Sequence, residues 1–377
     1  MFSFNFYNPT KLIFGKGKIS SLSRNIPAGS NVMLTYGGGS IKENGAFDDV
    51  IAALDGYKVI EFGGIEPNPE YETLKKAINI AKSENIDFIL AVGGGSVIDG
   101  SKFISAGIGI EGDPWGIMDG SLKVGNCTPL GTVLTLPATG SENNCVSVIS
   151  RREYNAKFPF SNPKVFPKFS VLDPAVSLSL PTNQVANGVV DAFVHVLEQY
   201  LTYDVNAPLQ DSFSEGILKT LVHEGPKTYD CPNDYDSRAN VMMCATMALN
   251  GLIGSGVPQD WTTHYIGHVI TALFGLDHAR SLALVLPAVM EYQKDSRKDR
   301  YVQYLKNVFG VELDDNARAA DIAIGITVEF FNSLDVDTSL SAYQLGQKDI
   351  EKIIEHISGF GDIKWGEKGG IDLDGVK

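Results

Sequence analysis

Five of the six histidines lie between residues 191 and 278. Within that stretch Asp191 and His195 are four residues apart, and so are His264 and His268. On a helix, residues at that spacing project from one face. His278 follows in Gly275-Leu276-Asp277-His278-Ala279, after an apolar, helix-like run. His223 has no partner at this spacing and reads as a surface residue. One carboxylate with two or three imidazoles suits a divalent metal such as Zn or Fe(II). The same residues also fit core or surface positions on unrelated helices, because histidine is intermediate in burial. This stretch alone leaves both readings open. It contains no Gly-x-Ser-x-Gly elbow, which argues against an acyl-transfer hydrolase. It contains no HExxH, which argues against the commonest zinc protease pattern.

A second group of residues is suited to phosphate. Gly93-Gly94-Gly95-Ser96 stands between a strand-like run, Ile86–Val92, and a helix-like run from Val97. Glycines let a backbone approach a ligand closely, and a helix N-terminus offers free N–H groups to a diphosphate. The turn is not a GxGxxG fingerprint, and a purely structural tight turn is the alternative. Gly37-Gly38-Gly39-Ser40 repeats the device after Asn31–Tyr36. That turn carries no carboxylate to read a ribose 2′-hydroxyl, which favours a 2′-phosphate and hence NADP(H), with NAD(H) still possible. Lys42 could help there or be a solvated lysine. Thr135, Thr139, Ser141 and Asn144 form a hydroxyl- and amide-rich cluster at the end of another strand. They fit hydrogen bonds to a cofactor and equally fit a turn and helix cap.

The elements that must position these residues fall into two textures. Up to about residue 174, strands Lys11–Phe14, Asn31–Tyr36, Val59–Phe62, Ile86–Val92, Val133–Pro137 and Ser170–Pro174 alternate with glycine turns and helical periods. One such period is Tyr71–Asn85, with Leu74, Ala77, Ile78 and Ala81 on one face. This is the pattern of a parallel α/β sheet, whose right-handed crossovers bring the turns to one edge. After Pro181 strand signals nearly vanish. Leu209, Phe213, Ile217 and Leu221 share a helical face, as do Ile322, Ile326 and Phe330. The reading is an α/β domain with a parallel sheet, residues 1–178, followed by an all-helical domain, residues 179–377. The Gly- and charge-rich last dozen residues are expected to be loosely ordered.

The chain has 377 residues, enough for two domains with full cores. Its formal net charge of −14, with no long Lys/Arg run, argues against nucleic acid and against an anionic membrane surface. No apolar run reaches transmembrane length. The N-terminus lacks the basic start and continuous apolar core of a signal peptide. Four cysteines without a CxxC spacing exclude a disulfide framework and a Cys-rich zinc site. A cytoplasmic protein is expected.

Together these stretches resemble one family. Gly93-Gly94-Gly95-Ser96 with Asp99 and Lys102 is similar to the GGGSxxDxxK segment of the iron-containing alcohol dehydrogenases. Thr135–Glu142, Asp191-Ala192-Phe193-Val194-His195, and the run from His264 through His268 to His278 resemble its other motifs. The order is right and nearly the whole chain is covered. Tyr36–Ser40, Gly63–Pro69 and Gln259-Asp260-Trp261 look like the branch of NADPH-dependent aldehyde reductases and butanol dehydrogenases. The resemblance implies a dinucleotide-binding role for the α/β domain, residues 1–178, and a metal-binding role for the helical domain, residues 179–377. The metal ligands it implies are Asp191, His195, His264 and His278, with Fe(II) or Zn as the metal. It implies that His268 is a cleft histidine beside the nicotinamide, a candidate for relaying a proton. The diphosphate would lie on Gly94, Gly95 and Ser96, near Asp99. Gly38, Gly39 and Ser40, after Gly37, would meet the 2′-phosphate. Thr135, Thr139, Asn144 and Lys157 would line the cofactor path. The implied reaction reduces an aldehyde to a primary alcohol with hydride from NADPH, in a homodimer. A non-redox metal lyase of dehydroquinate-synthase-like architecture is the alternative. Relatives commonly end in a further helix, whereas this chain closes on Gly369–Lys377. A looser far side of the helical domain is the expected consequence.

Overall fold

A computed structural model describes all 377 residues. The sheet portion contains β1 (Lys11–Phe14), β2 (Asn31–Tyr36), α1 (Ser40–Glu43), α2 (Ala46–Ala53), β3 (Lys58–Phe62), α3 (Tyr71–Ser83), β4 (Phe88–Gly94), α4 (Gly95–Ile108), β5 (Leu130–Leu136), β6 (Val146–Arg151), β7 (Ala156–Ser161) and β8 (Phe169–Leu172). Six strands form one sheet in the order β1-β8-β5-β4-β2-β3, all parallel. A parallel sheet is covered on both faces, so its central strands carry apolar residues at every position. β4 does so: Phe88, Leu90 and Val92 join Val32, Leu34, Ile41 and Val50 in one core. Ile89 and Ala91 join Met33, Leu74, Ile78, Ile98 and Phe103 in the other. The expected face of α3 is buried, with Leu74, Ala77, Ile78 and Ala81 at most 1 % exposed.

The sequence reading did not anticipate the antiparallel pair β6–β7, which stands apart from the main sheet. Asn155, with φ 47° in the left-handed region, closes the turn between its strands. Ser147 on β6 donates from Oγ to the Asp99 carbonyl of α4 at 2.7 Å, which ties the hairpin to that helix.

The helical portion contains α5 (Thr182–Tyr200), α6 (Pro208–Asp230), α7 (Tyr235–Ala248), α8 (Thr262–Phe274), α9 (His278–Tyr292), α10 (Lys298–Tyr304), α11 (Ala319–Asn332), α12 (Gln347–Ser358) and α13 (Leu373–Val376). Every residue of α5 from Val185 to Tyr200 is buried. A helix buried on all sides must find partners for its polar groups, and α5 carries Asp191, His195, Glu198 and Gln199. On α6 the buried face is Gln210, Ser214, Leu218 and Leu221, while Leu209 and Phe213 of the expected apolar face are 58 % and 39 % exposed. Arg300 explains part of the shift, since it forms a two-pronged ion pair with Asp211 at 2.8 and 2.9 Å.

The chain divides into two compact units, Tyr7–Leu180 with Pro232–Thr246, and Met1–Phe6 with Pro181–Cys231 and Met247–Lys377. Met1–Phe6 and Pro232–Thr246 thus each group with the unit on the far side of residues 178–179. Met242 lies in a sheet core, and Thr246 Oγ1 donates to Glu142 Oε1 at 2.6 Å. Phe2 N–H donates to the Gly256 carbonyl at 2.8 Å.

The C-terminal tail is not loose, which corrects that expectation. Trp365 and Ile371 exchange two backbone hydrogen bonds of 2.9 and 3.0 Å. Ile363, Trp365, Leu373 and Val376 pack on a core made by Val269 and Ile270 of α8 with Ile353 and Ile357 of α12. Asp372 caps α13 by accepting from the Asp374 and Gly375 N–H groups.

Candidate active site

In the helical unit, α5 presents Asp191 and His195 on one face, α8 presents His264 and His268, and α9 begins at His278. Ligand atoms of Asp191, His195 and His264 lie within 4.8 Å of one another. His195 Nδ1 is 3.5 Å from Asp191 Oδ1, and His278 Nε2 is 3.8 Å from the same oxygen. The His195 and His264 rings are 4.5 Å apart between centroids, and His264 and His278 are 5.3 Å apart. So α5, α8 and the start of α9 bring together the four expected ligands. Asp191 Oδ1 and His195 Nδ1 are buried without a hydrogen-bond partner. Buried polar atoms are normally satisfied, and a divalent cation would satisfy both. Burial pushes His195 down to about 4, with Asp191 acting in the opposite direction. A neutral imidazole is the form that ligates. The residues present therefore fit a Zn or Fe(II) ion.

His268 is half-buried, and its ring is 5.1 Å from that of His278 and 6.1 Å from that of His264. It borders the cluster as the spacing to His264 predicts. Sequence reasoning passed over Glu198, which shares the α5 face with Asp191 and His195 at i+7 and i+3. Its carboxylate meets His264 Nδ1 and also accepts the His264 backbone N–H at 3.3 Å.

In the sheet unit, β5, β4 and β2 are adjacent and parallel, so their C-terminal ends lie side by side. The turns Gly37–Ser40 and Gly93–Ser96 and the segment after Thr135 therefore share one sheet edge. A methyl on Gly94 would lie 3.0 Å from Leu136 Cβ, and one on Gly95 would collide with Thr139. These glycines let strand and helix close up. Gly39 has φ 109°, a backbone that side chains resist, and space around it and Gly38 is open. Thr135 is buried at this edge. Ser96 Oγ accepts the Asn68 N–H at 3.3 Å, and Lys157 Nζ reaches Asn68 Oδ1 at 2.8 Å.

Other expected cofactor residues are engaged with the chain itself. Asp99 accepts from Ser141 Oγ at 2.5 Å and from the Val148 N–H at 3.0 Å. Asn144 accepts from Lys102 Nζ and the Val146 N–H, and donates to the Gly140 carbonyl. Thr139 Oγ1 accepts the Ser141 N–H at 3.2 Å. Lys102 is fully buried and donates to Ser141 Oγ, Asn144 Oδ1 and the Val146 carbonyl at 2.7–3.0 Å. Burial brings its ammonium down to about 8, while Asp99 opposes that shift. Lys102 thus ties α4 to the loop between β5 and β6. A carboxylate that the turn itself lacks stands on neighbouring β3: Glu61 accepts from Tyr36 OH and Lys42 Nζ, each at 3.0 Å.

A parallel α/β sheet edged by glycine turns, with a buried carboxylate–imidazole cluster in a helical unit, is the arrangement expected of two-domain, metal-dependent dehydrogenases and of the lyase alternative alike. The chain belongs to the iron-containing alcohol dehydrogenase family: residues 9–174 match "Iron-containing alcohol dehydrogenase", and residues 185–359 match that family's C-terminal domain. It is 49 % identical to the NADPH-dependent aldehyde reductase YqhD of Escherichia coli, over 99 % of this chain and 97 % of that protein. The crystal structure of E. coli K-12 YqhD superposes with a TM-score of 0.97 at 48 % identity, covering 100 % of this chain and 97 % of that one. The structure of NADH-dependent butanol dehydrogenase A from Thermotoga maritima gives 0.94 at 32 % identity, covering 100 % and 97 %.

Proposed function

We propose that this protein reduces aldehydes to primary alcohols, and runs the reverse reaction, with NADP(H) as the preferred dinucleotide. The observation that carries this reading is the gathering of Asp191, His195 and His264, with His278 against Asp191, in a chain of this family. Those four residues would hold one divalent ion, Fe(II) or Zn. The ion supplies Lewis acidity toward a carbonyl oxygen, and the nicotinamide supplies the hydride. His268 delivers the proton to the product oxygen, since imidazole exchanges protons near neutral pH. Residues 1–178 carry the dinucleotide role and residues 179–377 the metal role. Gly37–Ser40 receive the 2′-phosphate. Gly94, Gly95 and Ser96 receive the diphosphate, with Thr135, Thr139 and Lys157 along its path. Asp99 and Asn144 shape that path through the contacts described above.

The preference for NADP(H) is supported by the name of the E. coli relative and by the open, carboxylate-free turn at Gly38–Gly39. The lyase alternative draws no support from whole-length relatives named as aldehyde reductases and butanol dehydrogenases. A cytoplasmic location is proposed on the four free cysteines, which suit a reducing compartment; no helix is long and apolar enough to cross a membrane. A homodimer is supported by the half-exposed rings of Phe2, Phe4 and Phe6, which group with the helical unit.

The test is metal analysis of protein purified without chelator, coupled to NADPH oxidation with butanal. One equivalent of metal, loss of turnover on chelation and recovery on adding Zn or Fe(II) are expected. Turnover retained in metal-free protein would refute the role of the ion. In the same assay His268→Ala should lower kcat at unchanged metal content.

A further inference from the structure

Glu198 is a buried carboxylate that the proposed reaction does not use. It is 4 % exposed and lies one helical turn beyond His195 on the face of α5 that carries Asp191. Its Oε2 meets Nδ1 of the His264 ring, and its Oε1 accepts the His264 backbone N–H. Its own carbonyl accepts the Asp260 N–H at 2.9 Å. The N-cap of α8, Trp261, offers no side-chain acceptor to the helix. Glu198 therefore grips the first turn of α8 and the ring that this turn carries.

We infer that Glu198 is a positioning residue for the metal site, holding His264 through Nδ1 so that Nε2 faces the ion. This rests on Asp191, His195, His264 and His278 being the ligands. A ring that ligates through Nε2 keeps its proton on Nδ1, and a carboxylate there accepts it, fixing tautomer and ring plane together. α5 thereby contributes two ligands and the brace for a third.

The test uses the full chain, stripped of metal and titrated with Zn(II) against a chromophoric chelator, alongside thermal unfolding of the metal-free form. Glu198→Gln keeps the size but cannot accept the ring proton as a carboxylate does. It should weaken Zn(II) binding by roughly 10–100-fold, the range for lost outer-shell partners. Its metal-free Tm should stay close to that of the parent. A Zn(II) affinity within twofold of the parent, with or without a lower metal-free Tm, overturns the inference and leaves Glu198 a helix brace only. If Glu198→Gln does not fold, Glu198→Asp, which keeps the charge and shortens the reach, decides by the same titration. Its affinity should also fall. Asp191→Ala separates the two readings: if it binds Zn(II) as tightly as the parent, the ligand assignment itself fails.

Discussion

Gly39 is the residue at which cofactor choice can be tested with one side chain. Its φ of 109° lies where an added Cβ is strained, so any substitution should cost about 1–2 kcal/mol of stability. Space around it is open, so the cost is backbone strain and not collision. Gly39→Ala and Gly39→Asp should therefore lose similar stability in urea unfolding. Only the aspartate should change cofactor preference, because it puts a negative charge beside the proposed 2′-phosphate site. Fluorescence titrations should show the NADPH-to-NADH affinity ratio falling by about tenfold or more, near 1.4 kcal/mol. An equal fall in Gly39→Ala would mean that turn shape, not charge, sets the ratio. At this scale much was legible. Asp191 with His195, and His264 with His268, share helix faces as their spacing places them, because four-residue steps survive any tertiary arrangement of the helix, whereas His278 lies outside that spacing and was implied by the family resemblance. Glu61 was not legible. It stands on β3, and only the pairing of Leu34 with Glu61 brings it beside β2.

At the scale of elements, α8 is anchored by groups distant in sequence. Asp260 accepts the Thr262 N–H at the start of α8 with one oxygen and pairs with Arg297 through the other. Arg297 pairs in turn with Glu367 of the tail, and all three side chains are at most 7 % exposed. The tail is thus roped to the helix that carries His264. Glu367→Ala should cost roughly 1.5–3 kcal/mol, the value of hydrogen bonds to a charged group. Hydrogen exchange should quicken both in the tail and in the first turns of α8; quickening confined to the tail would show that the rope ends at Arg297. Acid should act at the same place. Burial alone would raise Asp260, but Arg297 and Thr262 hold its carboxyl below the ordinary 3.8. Its contribution is then full above 3.8 and is lost as pH falls beneath that value. None of this could be read from the sequence, where Arg297 and Glu367 are ordinary charged residues 70 positions apart. The hairpin β6–β7 escaped for a local reason: Pro159 and the polar Ser147, Ser150 and Lys157 blur its alternation.

For the whole molecule, the unresolved balance is between polar surface and exposed aromatic rings. Phe2, Phe4 and Phe6 are 46–49 % exposed, although the N-terminal segment is seated: Phe2 bonds Gly256 and stands edge-on to Tyr203 at 6.5 Å. Leu209, just beyond that region at the start of α6, is 58 % exposed. Fully burying a Phe side chain yields about 1.5–3 kcal/mol, so each half-exposed ring has roughly half of that still to gain. Rings left half-exposed on a chain with a net charge of −14 call either for a surface that covers them or for charge that repels wrong partners. A second copy of the same chain is the partner proposed above, since a two-fold contact lets one patch serve both sides. Light scattering of the purified protein should then give twice 40.7 kDa at micromolar concentration. Replacing Phe2 and Phe4 with Ser should shift the mass toward 40.7 kDa while the bound metal stays at one equivalent, because neither ring contributes to the Asp191–His278 cluster. A parent protein that is already monomeric at that concentration would refute the dimer. A double variant that remains dimeric would move the contact elsewhere, with the exposed Leu209–Phe213 face of α6 the next surface to change.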